Sequence, residues 1–118
     1  MRKTLIAAAV LSLLAAGEAS AHARLIKSNP MKGATVAAPK ALTLSFSEGI
    51  VADKSSVTVA GADKKPAALG PIALDAKTKR VVTVPVTAKL APGAYTLDWK
   101  MTTDDGHTMT GRYGFKVK

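Results

Sequence analysis

Two histidines, His22 and His107, are the only ones in the chain, and no cysteine accompanies them. His107 stands in the run Asp104-Asp105-Gly106-His107. Residues i and i+2 of an extended chain face the same side, so Asp105 and His107 can address one ion, with Gly106 permitting a tight backbone between them. His22 directly follows Ala19-Ser20-Ala21, a small-residue pattern that suits a signal peptidase. Cleavage there gives His22 a free α-amine, and the amine and ring Nδ1 then close a six-membered chelate on one metal. That amine titrates near about 8, so a metal can displace its proton at neutral pH. Three nitrogens and a carboxylate oxygen suit a tetragonal Cu(II) ion, the first-row divalent ion that such ligands bind most strongly. An Asp-Gly-His run alone is more often a turn with a solvated or capping histidine. What favours a metal is that both histidines fall on such positions.

The residues that bring His22 to a chain end are those of an export leader. Arg2 and Lys3 form a basic start, Leu5 to Ala16 an apolar run, and Ala19 to Ala21 the cleavage pattern. The apolar run is shorter than the roughly 20 residues of a spanning helix. The expected organisation is a cleaved signal peptide over 1–21 and one domain over 22–118, soluble and periplasmic. Of 17 basic and 8 acidic residues, Arg2, Lys3 and Glu18 leave with the leader, so the exported chain carries 15 and 7, a net charge of +8. Export removes that charge from nucleic acid, and the lysines are scattered, as on a soluble surface of strand edges and loops. An exported chain without cysteine uses no disulfide and depends on a packed core. Blue-copper and iron–sulfur centres, which need cysteine, are excluded.

The elements that must position these groups read as strands. Short β-branched and aromatic runs recur between turn signals about 8 to 12 residues apart, the pattern of a sandwich or barrel. Ala41 to Ser47 places Leu42, Leu44 and Phe46 on one face, and Ala94 to Met101 does the same with Tyr95, Leu97, Trp99 and Met101. Residues 23–27, 56–59, 80–86 and 111–117 read as further strands, and 61–79 as a loop with a weak strand at most. Leu44, Phe46, Leu97, Trp99 and Phe115 are the expected core. Antiparallel sandwiches gather loops at their two ends, so the Asp-Gly-His loop and the N-terminus can meet.

Over nearly the whole exported chain the sequence resembles the CopC family of periplasmic copper-binding proteins. The resemblance rests on His22-Ala23-Arg24-Leu25, Ser28-x-Pro30-x-x-Gly33, Leu42-x-Leu44-x-Phe46-Ser47-Glu48, Trp99, Asp105-Gly106-His107 and Gly111-Arg112-Tyr113-Gly114-Phe115. It implies a seven-stranded Greek-key β-sandwich or barrel, immunoglobulin-like or cupredoxin-like. It also implies that Cu(II) is bound through the amine and ring of His22, the ring of His107, and Asp105, with Glu48 a nearby carboxylate. The residues alone would leave Glu48 as a solvated charge ending a strand. The implied role is copper sequestration or delivery by a monomer, with an inner-membrane copper transporter as a partner.

Family members that also bind Cu(I) carry a mid-chain loop rich in methionine with a histidine, and residues 51–79 here contain neither type. Met101 continues a core face, Met31 follows a turn proline, and Met109 is a marginal candidate for an axial position. The expectation is a site for the oxidised ion alone. Two other functions fit parts of the pattern. Polysaccharide monooxygenases also use an N-terminal histidine on a β-sandwich, but a short chain with few aromatics and a carboxylate beside the copper argues against one. A metal-free structural or adhesive sandwich would make both histidines incidental.

Overall fold

Alternation of apolar and polar residues along short strands sets the architecture. The computed structural model describes residues 23–118; the leader, its cleavage point and His22 lie outside the described residues. The strands are β1 (Leu25–Asn29), β2 (Thr35–Val36), β3 (Ala41–Phe46), β4 (Ser56–Gly61), β5 (Ala73–Leu74), β6 (Val81–Pro85), β7 (Gly93–Thr102) and β8 (Thr108–Val117). One sheet has the order β1-β3-β6-β5 and the other β2-β8-β7-β4. All pairings are antiparallel except β2 with β8.

The inward face of each long strand supplies the core. Leu42, Leu44 and Phe46 of β3 and Val82 and Val84 of β6 meet Val59, Leu97, Met101, Tyr113, Phe115 and Val117 of the other sheet. Burial of each such side chain contributes about 1.5–3 kcal/mol. The Phe46 and Trp99 rings meet edge to face across the sandwich, with centroids 5.1 Å apart. Of the expected core, Trp99 is only half-buried. Its cross-strand partner is Gly111, which has no side chain to cover the indole.

The architecture departs from seven strands and from a barrel. Eight strands form two open sheets; β2 and β5 have two residues each, too short to show a period in sequence. Between the sheets an isolated bridge joins Ile50 to Thr103 at one end of the sandwich. β1 bulges between Leu25 and Lys27, leaving Ile26 outside the ladder. Beyond β4 the chain folds back along its edge, with the Ala67 amide donating to the Val59 carbonyl at 2.7 Å. Among the described residues no helix is long and apolar enough to cross a membrane.

Candidate metal centre

β7 and β8 form a hairpin that closes at Thr102 and Thr108, and the residues between them carry the Asp-Gly-His run. The Gly106 amide donates to the Thr103 carbonyl at 2.9 Å, and the Thr103 amide donates to the His107 carbonyl at 2.8 Å. This tight reversal holds Gly106 at φ +89°, a left-handed conformation that glycine adopts without a Cβ clash. Asp105 and His107 are thereby brought together. The Asp105 Oδ2 lies 3.1 Å from the His107 ring Nδ1, while its Oδ1 accepts the His107 amide at 3.3 Å. The Thr103 hydroxyl donates to the same Oδ1. That hydroxyl, followed by the His107 amide, holds the Asp105 carboxyl below the usual carboxylate range, against the opposing effect of burial. Both Asp105 and His107 remain exposed, and Thr103 is buried.

The segment after β3 fastens this loop to the start of the domain. Arg24 and Ser47 are joined twice: the Arg24 amide donates to the Ser47 hydroxyl at 2.8 Å, and the Ser47 amide to the Arg24 carbonyl at 3.0 Å. Two residues on, the Gly49 carbonyl accepts the Asp104 amide at 3.2 Å, and the Val51 amide donates to Thr102 at 2.8 Å. The turn before β6 supports the segment from below, because the Phe46 and Ile50 amides donate to the Arg80 and Lys79 carbonyls. Asp75 organises that turn, its carboxylate accepting the Thr78 hydroxyl at 2.7 Å and the Thr78 and Val81 amides. The Thr78 hydroxyl, then these amides, hold the Asp75 carboxyl far below the usual range. Arg24, residues 47–51 and the Asp-Gly-His loop therefore form one hydrogen-bonded belt across one end of the sandwich.

Glu48 is half-buried within the belt, between the Ser47 and Gly49 contacts. Among the described residues no group of three or more His, Cys, Asp or Glu side chains is arranged to hold a metal. Asp105 and His107 are a pair, Glu48 lies on the neighbouring segment, and His22 is outside the described residues. Met101 is fully buried, and Met109, its cross-strand partner, is half-buried. Sequence reasoning missed Thr103, Gly49 and Asp75. Thr103 stands two residues before Asp105, the offset of a hydroxyl sharing its turn, and that was its one signal.

Comparison with known proteins adds to this geometry. A family model described as the CopC domain matches residues 25–118. Protein YobA of Escherichia coli K12 is 37% identical over 99 residues, spanning 83% of this chain and 80% of its own. The crystal structure of CopC from Methylosinus trichosporium OB3b superposes with a TM-score of 0.75 at 28% identity, over 82% of this chain and 94% of that one. PcoC, a methionine-rich copper resistance protein from Escherichia coli, gives 0.72 at 31% identity, over 83% and 100%.

Proposed function

The chain belongs to the CopC family, whose members carry copper rather than catalyse, and from that premise we propose that it binds Cu(II) in the periplasm as cargo, to sequester or deliver it. The observation that carries this reading is the Asp105–His107 pair, held by the belt at the end of the sandwich where the described chain begins. Ala23 is buried there and Arg24 is bonded to Ser47, so the first described residues are anchored at that end.

His22 would supply amine and ring nitrogens once the leader is removed, and His107 a third nitrogen. A carboxylate on Nδ1 fixes the imidazole tautomer with its proton on Nδ1 and its lone pair on Nε2. While bonded to Nδ1, Asp105 orients the His107 ring; it would join the ion as a ligand by releasing that bond and turning its carboxylate toward the metal. Glu48, one residue from the Gly49–Asp104 bond, is a further carboxylate within the belt. The absence of Met and His from residues 51–79 favours storage of the oxidised ion alone. An inner-membrane transporter would receive the copper from a monomeric carrier.

The test is a Cu(II) titration of protein isolated from the periplasm, its N-terminus established by mass spectrometry. One tightly bound equivalent with nitrogen-rich paramagnetic resonance is expected on a chain beginning at His22. A chain so processed that binds no copper would overturn the reading.

A further inference from the structure

The charges of the domain are sorted along its long axis. Of the seven acidic residues in 23–118, Glu48, Asp53, Asp75, Asp104 and Asp105 lie at the belt end, in the loops after β3, before β6 and between β7 and β8. They are matched there by Arg24, Lys54, Lys77, Lys79 and Arg80, so that end is close to neutral. The opposite end is strongly basic. Lys32 lies between β1 and β2 and Lys40 just before β3; Lys64 and Lys65 follow β4, and Lys89 precedes β7. Lys116 and Lys118 complete the set at the end of β8, and Asp63 is the one acidic side chain among them. All seven lysines are exposed, and none takes part in either ion pair among the described residues. Lys65 and Lys89 line one hollow with Asp63 and Tyr95, so loops from both sheets converge there.

From this asymmetry we propose that the lysine end is a docking surface for an anionic lipid bilayer. The two ends are separated by the ten residues of β7, roughly 30 Å, several times the screening length of about 8 Å at physiological salt. An anionic surface near the lysine end therefore meets that end's charge alone. The chemistry of the patch fits headgroups better than a protein. Every cation in it is lysine, a compact and strongly hydrated charge without the planar fork that makes arginine an interface anchor. They are spread around a rim, as suits a laterally uniform anionic surface. Met31, 63% exposed beside Lys32, gives the same end an apolar side chain able to enter the headgroup layer. Docking in this way turns the belt end outward, away from the bilayer. The proposal does not depend on the metal reading.

Sedimentation with vesicles containing roughly one-third phosphatidylglycerol, using protein as the cell exports it, in about 50 mM salt, tests this. Partitioning is expected onto these vesicles and not onto phosphatidylcholine, with release at high salt. The triple change Lys64→Glu, Lys65→Glu and Lys89→Glu should reduce it about tenfold or more. The charge-matched change Lys27→Glu, Lys54→Glu and Lys77→Glu should reduce it by about twofold or less. Near-ultraviolet dichroism establishes that both variants are folded. Equal losses from the two variants would mean that net charge alone acts, and would overturn the proposal. Equal binding to neutral vesicles would overturn it too, as would retention on a polyglutamate matrix without vesicle binding, which would assign the surface to an acidic protein.

Discussion

The Asp104 amide donates to the Gly49 carbonyl, and the carboxylate of the same Asp104 fills the space where a β-carbon on Gly49 would stand. The Asp-Gly-His loop thus leans on a residue whose lack of a side chain makes room for it. Gly49→Ala should push the Asp104 carboxylate aside, which is cheap because it is the exposed end of a short chain. Cu(II) affinity should fall roughly threefold to tenfold, less than on losing a direct orienting partner, with a thermal midpoint close to that of the parent. Competitive titration against a chelator of known affinity reads the first, and calorimetry the second.

Gly111→Ala is the contrasting case. A β-carbon there meets the indole of Trp99, a rigid ring packed on Phe46. The expected cost is about 1–3 kcal/mol, the range for overpacking a core. Trp99 is the only tryptophan, so its fluorescence in a urea titration reports both the lower midpoint and the displaced ring.

Placing one glycine before His22 in the exported protein converts the chelating amine to an amide. Cu(II) affinity should fall at least about tenfold, or about 1.4 kcal/mol, with one fewer equatorial nitrogen in paramagnetic resonance. Unchanged affinity and spectrum would leave His107 and the carboxylates to hold the copper alone.

His107→Ala should weaken Cu(II) binding more than Asp105→Ala, because the ion favours imidazole nitrogen over an oxygen that water can replace. Thr103→Val removes the hydroxyl that fixes Asp105 and should give a loss of the same sign as Asp105→Ala but smaller. Titration of the three variants side by side establishes the order, and equal, negligible losses would reduce the loop to a turn.

Asp75 gives the domain an acid-sensitive support. Its carboxyl in the fold lies far below the unfolded value of about 4, so the ionised form is the one the fold stabilises. That stabilisation is complete above about pH 4 and is lost as pH falls from there through the folded value. Asp75→Asn should therefore lower the urea midpoint at about pH 7, with the gap from the parent narrowing at about pH 3.

Legibility in the sequence followed pattern length. β3, β7 and the end of β8 each carry three or four alternating apolar residues, and Leu44, Phe46, Leu97 and Phe115 are buried as that alternation requires. β2 and β5 owe their existence to neighbours: Thr35 and Val36 are strand only because β8 lies beside them. At the site, the spacing paired Asp105 with His107, but the turn at Gly106 and not an extended chain is what brings the two side chains together. Gly49 acts through Asp104, far along the chain, which no local spacing encodes, whereas Asp75 acts within six residues, on Thr78 and Val81, in a segment whose pattern reads only as loop. Glu48 came from family resemblance alone, and its place in the belt reflects tertiary bonding at Ser47 and Gly49.

The bulge at Ile26 bears on what happens when many copies crowd together. A sandwich made of open sheets offers strand edges to its own kind, and a long flat edge invites filament growth. Here β1 is kinked by the bulge and carries Lys27, and β2 and β5 are two residues long. The edge at β4 is occupied by its own chain through Ala67 and the Ala60–Pro66 bridge. With β1 bent, β5 short and β4 taken, the stretch of β8 ahead of Gly114, which β2 does not reach, is the edge left open among the described residues, and there the charge of Arg112 guards against one molecule templating the next.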